Sequence, residues 1–198
     1  MISNGYLFDD DLIKKAKETW HLRNVQITLD GTEEIYNKTK AYIYKDCDSP
    51  FKRVISNIHK LINANIGVSI RINIDKHNYD NLKELADYLY AEFGDDESVK
   101  AYAHPVFEEG FKRSEEEQKI IYNNLMNIEQ YMEDIGIFGG RGLHIGVKYS
   151  HCMADNGDHI CIFPKGDLGV CEHYLDKYHT GHIDNPDDKN WEILQSWK

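Results

Sequence analysis

The sequence lacks the features that would direct it to a membrane, a secretory route or a nucleic acid. No run approaches the roughly 20 apolar residues that a spanning helix needs. The start, Met1-Ile2-Ser3-Asn4-Gly5, has neither the basic region nor the apolar stretch of a signal peptide. Cations are the minority, 23 Lys and Arg against 34 Asp and Glu. The resulting net charge of −11 argues against a nucleic-acid or anionic-membrane partner, because phosphate binding needs clustered Lys and Arg. Cysteine is scarce as well. Four in 198 residues, three of them clustered, do not make a secreted disulfide framework, so a cytoplasmic location is expected. Cys47 stands apart in a polar loop and carries no assignment.

What is present supports one medium domain with a small appendage: 41% hydrophobic and 29% charged residues suffice for a packed core. Strand and helix patterns alternate through the first 110 residues. Asp9 can cap a helix with Leu12, Ile13, Ala16 and Trp20 on its apolar face. Val25, Ile27 and Leu29 alternate with Gln26, Thr28 and Asp30, which is strand periodicity. Ser49-Pro50 reads as an N-cap followed by proline at the first helical position, ahead of a stripe of Phe51, Val54, Ile55, Ile58, Leu61 and Ile62. Gly67 precedes a second strand at 68–75, a helix follows near 80–93, and a weaker strand spans 99–106. This β-α-β-α-β order predicts a parallel sheet with crossover helices. Ser114-Glu115-Glu116-Glu117 is a capping box that opens a helix to about Met132, with Ile120, Ile121, Leu125 and Ile128 inward. Five glycines then fall between 136 and 146, placing a boundary between a domain at 1–139 and another at 140–198, the latter with short strands only.

Two features carry chemistry. A parallel strand covered on both faces reads as continuously apolar, and these strands do not. Val68, Ile70, Ile72 and Ile74 form one face of the second strand, while Ser69, Arg71, Asn73 and Asp75 form the other. With helices on the apolar face, the polar one faces a cavity, and a polar ligand is a suitable partner for its Arg and Asn. The second feature is the group Cys152, Cys161 and Cys171. Residues 160–171 read as a hairpin with Pro164 to Gly166 at its turn, which would bring Cys161 toward Cys171. Three thiolates need a fourth ligand to close a zinc or cubane site, and His151, His159, His173, His179 and His182 are near in sequence.

On these residues the chain resembles part of a radical S-adenosylmethionine (SAM) enzyme with a SPASM domain, of the type that modifies ribosomally made peptides. Ser3-Asn4-Gly5-Tyr6-Leu7 is similar to the end of the family's third barrel strand, and Val25 to Gly31, ending in Asp30-Gly31, to the fourth. Arg71-Ile72-Asn73-Ile74-Asp75, followed by Asn78, is similar to the fifth. Cys152, thirteen residues, Gly166, four residues and Cys171 fit the opening SPASM pattern, with Cys161 between them.

The resemblance implies an α/β fold: a partial (β/α) radical-SAM-type barrel of about three parallel strands, then a truncated Cys-rich SPASM domain. It implies SAM and substrate contacts at Asn4, Gly5, Thr28, Asp30, Arg71 and Asn73. It also implies an auxiliary [4Fe–4S] cluster on Cys152, Cys161 and Cys171, and a ribosomally synthesised peptide as partner. The Cys-x(3)-Cys-x(2)-Cys loop of the SAM-cleaving cluster is absent, as is the later half of the SPASM cysteine pattern. Tyr36 and Lys40 stand where the family often has His and Arg. The expectation is therefore an enzyme fragment, catalytically silent alone, with self-association through exposed strand edges. The alternative is a noncatalytic α/β protein with a structural zinc at the three cysteines.

Overall fold

The computed structural model describes residues 1–43, 48–75, 78–94, 96–106, 113–139, 160–171 and 178–196. Cys47, Cys152, His151, His159 and His173 lie outside them. The chain divides into two compact units, Met1–His144 and Ile145–Lys198. The boundary expected at 139/140 falls at the edge of a stretch outside the described residues.

The first unit is a four-stranded parallel sheet in the order β1-β2-β3-β4, formed by Ile2–Ser3, Asn24–Thr28, Gly67–Ile74 and Val99–Pro105. The expectation was about three strands. The extra one is β1, whose two residues are too short to show any alternation; it pairs Ile2 with Gln26 and Ser3 with Ile27. Helices α1 (Asp10–Glu18), α2 (Glu33–Lys40), α3 (Pro50–Asn63), α4 (Tyr79–Phe93) and α5 (Glu115–Ile135) link and follow the strands.

Local chemistry sets their ends. The Asp9 carboxylate accepts from the Leu12 amide at 2.8 Å, Asp10 and Asp11 fill the first turn of α1, and Lys15 and Lys17 the last. Ser49 caps α3 through the Lys52 amide, with Pro50 opening the helix. In α5 the Ser114 hydroxyl takes the Glu117 amide at 3.2 Å while the Glu117 carboxylate takes the Ser114 amide at 3.3 Å, the reciprocal pair of a capping box.

Val68, Ile70, Ile72 and Ile74 are fully buried, each contributing about 1.5–3 kcal/mol by leaving water. Their neighbours in the core are Val25, Ile27 and Leu29 of β2 and its end, the α3 stripe, and Leu82, Leu85, Leu89 and Phe93 of α4. Two expectations fail here, and one helix was not anticipated. Trp20 is 45% exposed, because α1 ends at Glu18 and the chain turns through His21 at φ 51°. Ile120 is 41% exposed: the stripe of α5 runs through Ile121, Leu125, Ile128 and Met132, and Ile120 sits about 100° off it. Helix α2 gave no sequence signal because only Ile35 and Tyr36 interrupt its polar residues. The far side of β4 is met by 137–139, where the Ala101 amide donates to the Ile137 carbonyl at 3.0 Å and the Gly139 amide to the Ala101 carbonyl at 3.2 Å.

The second unit contains a three-stranded antiparallel sheet, β5 (Cys161–Ile162), β6 (Asp167–Gly169) and β7 (His179–His182), and a helix α6 (Trp191–Ser196). The hairpin at 160–171 forms as expected. The Phe163 amide donates to the Asp167 carbonyl and the Gly166 amide to the Phe163 carbonyl, both at 2.9 Å, closing the turn over Pro164-Lys165. The expectation of strands only is corrected by α6, a six-residue helix too short for a periodic stripe. Among the described residues no helix is long and apolar enough to cross a membrane.

Candidate functional site

The helices cover the Val68–Ile74 face, so Gln26, Thr28 and Asp30, then Ser69, Arg71, Asn73 and Asp75, then Tyr102 and His104, share the other side. Register places Thr28 opposite Arg71, Arg71 opposite Tyr102, and Asn73 opposite His104. Polar groups on this face bond to one another. The Tyr102 hydroxyl donates to Gln26 Oε1 at 2.6 Å. Asn73 Nδ2 donates to Asp30 Oδ1 at 2.6 Å, and Asn73 Oδ1 accepts from Arg71 Nε at 3.1 Å. Lys40 of α2 pairs with the other oxygen of Asp30 at 2.6 Å. One chain of contacts thus runs from Lys40 through Asp30 and Asn73 to Arg71.

A pocket of about 260 Å³ opens beside this network, lined by Asp30, Ile35, Thr39, Asn73, Asp75 and Asn78. It lies at the carboxyl ends of β2 and β3, where parallel sheets collect ligands. Its floor is held rigidly. Asn78 Nδ2 donates to the Asn73 carbonyl at 2.9 Å, the Asp75 amide donates to Asn78 Oδ1 at 3.0 Å, and the Asn78 amide returns to Asp75 Oδ1 at 3.1 Å. Gly31 follows Asp30 at φ 157°, and a Cβ there would meet Asn81 Oδ1 at 2.6 Å. That oxygen instead accepts from the Thr32 amide at 3.0 Å, which starts α2 and sets Lys40 over the site. Below Lys40, Tyr36 is fully buried and its hydroxyl lies 3.1 Å from that of Tyr42. Burial first, then the Tyr42 hydrogen bond and the negative charge of Asp30, push the Tyr36 phenol far upward, so it stays neutral.

The residues expected to touch a cofactor separate into two groups. Asp30, Arg71 and Asn73 come together, and Thr28 lies in register beside Arg71. Asn4 and Gly5 sit at the end of β1. The Asn4 side chain turns back to accept from the Tyr6 amide at 3.1 Å. Gly5 is buried at φ 77°, where a Cβ would lie 3.0 Å from Val54 and 3.1 Å from Ile27. Asn57 of α3 clamps this turn by donating to the Gly5 carbonyl at 2.9 Å and the Tyr6 carbonyl at 3.1 Å. Asn57 and His104 were not singled out from the sequence, and Lys40 was marked there only as standing where the family often has Arg. The alternation Lys100, Tyr102, His104 could have exposed His104; nothing local marks Asn57.

Of the expected cluster ligands, Cys152 lies outside the described residues. Cys161 and Cys171 are half-buried at the two ends of one hairpin, with Cys161 opposite Gly169. Their chemistry suits iron or zinc, yet the described residues hold no group of three potential ligands. His179 lies 3.7 Å from Asp167, and His182 lies 3.3 Å from Asp184.

No protein-family model matches the sequence, and no curated protein matches it. Solved structures do match its fold. One is anSMEcpe with bound AdoMet and the Kp18Cys peptide, at TM-score 0.61 and 19% identity, over 98% of this chain and 55% of that one. A second is hexahistidine-tagged anSMEcpe with bound AdoMet, at TM-score 0.62 and 19% identity, over 98% and 53%. A third is Streptococcus suis SuiB, at TM-score 0.59 and 12% identity, over 99% and 47%. The chain spans about half the length of these structures. In fold, though at low sequence identity, the chain is similar to the radical SAM proteins that its strand-end motifs resemble.

Proposed function

We propose that these residues form the AdoMet- and peptide-holding part of a radical SAM/SPASM enzyme that modifies a ribosomally made peptide or protein. The observation that carries this reading is the polar strand-end network Lys40–Asp30–Asn73–Arg71 with its adjoining pocket, on a fold similar to structures that contain AdoMet and peptide. In this reading the sheet is part of a barrel wall and its polar face is the ligand side. Asp30 and Asn73 supply an acceptor and a fixed amide to a polar ligand; Thr28 and Arg71 extend the same surface. Asn4 and Gly5 shape the neighbouring strand end.

When bound, an auxiliary [4Fe–4S] cluster would supply iron for peptide binding or electron transfer. Cys161 and Cys171 have the right donor chemistry, but the described residues provide two thiols and not a complete ligand set, so no step is assigned to the cluster. The 198 residues contain no Cys-x(3)-Cys-x(2)-Cys. AdoMet cleavage then needs a cluster from outside them, and purified protein of this sequence should form no 5′-deoxyadenosine.

The test is calorimetric titration with AdoMet. Saturable binding that is lost in Asp30→Ala and Asn73→Ala, with the fold retained by circular dichroism, is expected. Absence of binding by the parent protein, or binding indifferent to both changes, would overturn the reading. Metal content decides the second unit separately: iron and sulfide lost in Cys171→Ala support the auxiliary cluster, whereas stoichiometric zinc without colour supports a structural metal.

A further inference from the structure

Helix α2 is one wall of the pocket. Thr32, Ile35 and Thr39 follow one another at i, i+3 and i+7 and so share one face, and the last two line the cavity. Little in α2 itself keeps that wall in place. It has eight residues, short of the roughly 12–15 that an isolated helix needs, and only Tyr36 among them is buried. The Thr32 hydroxyl makes no cap to the helix it opens. At the other end Ala41 closes the helix in the left-handed region at φ 43°, which a Cβ disfavours.

Contacts on two sides set its position instead. Toward α3, Asn37 Nδ2 donates to Ser49 Oγ at 3.1 Å, and Asn37 Oδ1 accepts from the Phe51 amide at 2.9 Å. The Tyr36 ring packs edge-on against that of Phe51. These contacts sit at mid-helix, as a pivot would. On the pocket side the contacts lie at the ends. Lys40 pairs with Asp30, and Thr32 is held by Asn81, the third residue of α4. Asn81 commits its whole amide to Thr32: Oδ1 accepts from the backbone N–H at 3.0 Å, and Nδ2 donates to the hydroxyl at 2.8 Å. The hydroxyl that would ordinarily cap α2 thus ties it to another helix. The same turn of α4 begins beside Asn78, whose bonds to Asp75 and Asn73 fix the pocket floor. Asn81 therefore joins wall to floor without lining the cavity itself.

We propose that Asn81 is a positioning residue, the latch that holds α2 closed against the pocket. Ligand affinity there then depends on a side chain that the ligand does not touch. This deepens the reading of the pocket as the AdoMet site and rests on it.

Two variants separate a latch from a generally important residue. Asn81→Leu removes both bonds and leaves α4 intact, because Leu is a better helix former than Asn. Asn81→Asp keeps both: one carboxylate oxygen accepts the Thr32 amide, and the other accepts from the Thr32 hydroxyl, which can donate as well as accept. Hydrogen–deuterium exchange by mass spectrometry on the full 198-residue protein reads the wall directly. Amides of 33–40 should exchange about 10-fold faster or more in Asn81→Leu, the scale of two lost hydrogen bonds, and at the parent rate in Asn81→Asp. Amides of 50–63 and 79–93 should be unchanged in both. Calorimetry should show AdoMet bound about 10-fold more weakly by Asn81→Leu and with parent affinity by Asn81→Asp. Unchanged exchange at 33–40 in Asn81→Leu, or faster exchange spread equally over α3 and α4, overturns the latch. Equal AdoMet affinity in the parent and Asn81→Leu, with α2 loosened, overturns the positioning role. Failure of the parent to bind AdoMet would sink the proposed function, while the exchange comparison still decided whether Asn81 latches α2.

Discussion

Replacing Asn57 by Ala should cost far more than its ordinary side chain suggests. Asn57 is 5% exposed on α3, and its single Nδ2 reaches two consecutive carbonyls, Gly5 at 2.9 Å and Tyr6 at 3.1 Å. The Tyr6 carbonyl keeps a second donor, Arg53 Nε at 3.1 Å, whose guanidinium also stacks 4.3 Å above the Tyr6 ring. No second side-chain donor replaces Asn57 at Gly5 among the described residues. Each lost bond is worth about 0.5–1.5 kcal/mol, and a buried carbonyl left unpaired about 1–3 kcal/mol. Because the Tyr6 carbonyl stays partnered, the sum is about 2–3 kcal/mol. At about 2–4 °C per kcal/mol for a chain of this size, Tm should fall by about 4–12 °C. Urea unfolding followed by tryptophan fluorescence and thermal melts by circular dichroism supply the measurement. Arg53→Met should cost less, since Asn57 still serves the Tyr6 carbonyl, and the double variant should lose more than the sum. A change below about 0.5 kcal/mol in Asn57→Ala would refute the claim that α3 holds the end of β1 through this amide.

Glu129 is 8% exposed on α5, and burial pushes its carboxyl up to about 7. Its proton is bound more tightly in the folded state than in the unfolded one, so stability is full below about pH 4.5 and falls as pH rises toward 7. Glu129→Gln should remove that slope and stabilise the protein above pH 7 by about 1–3 kcal/mol; parallel stability–pH curves would contradict it. Lys40→Met should cost about 1–3 kcal/mol by leaving Asp30 with Asn73 alone, and Asp30→Asn should relieve most of that cost in the double variant, read by a urea double-mutant cycle. Ser114→Ala, which breaks the capping box of α5, should cost about 1 kcal/mol in the same assay.

What could be read from the sequence and what could not divide along the range of the interaction. Caps act within four residues, and Asp9, Ser49 and Ser114 all sit where their local pattern places them. The alternation of β3 is a property of eight consecutive residues, so its buried and polar faces were visible before any partner was known. The hairpin turn at Pro164-Lys165-Gly166 is equally local. By contrast, α2 is held by position and not by a stripe: Gly31 turns the chain, Asn81 from 49 residues away anchors the Thr32 amide, and Lys40 reaches back to Asp30. No periodicity encodes that. Asn57 meets carbonyls 51 and 52 residues distant, and His104 meets Arg71 across a strand pair 33 residues apart. Strand-end motifs therefore marked Asp30, Arg71 and Asn73, while the side chains that position them belong to other elements.

The same distinction bears on how the edges of the sheet behave. Exposed parallel edges invite pairing, and the sequence suggested both would be open. Residues 137–139 bond to Ala101 and cover part of the outer side of β4, which leaves β1 as the edge without a strand beyond it among the described residues. The ladder at β1 makes the consequence testable. The Gln26 amide donates to the Met1 carbonyl at 2.8 Å, and in a parallel pair with Ile2 opposite Gln26 this turns the N–H and C=O of Ile2 away from β2. Ile2 is also 75% exposed. Ile2→Pro thus removes an outward donor without breaking a bond to β2. If self-association runs through this edge, the change should shift sedimentation toward the monomer at unchanged Tm; equal association in both proteins would place the contact elsewhere.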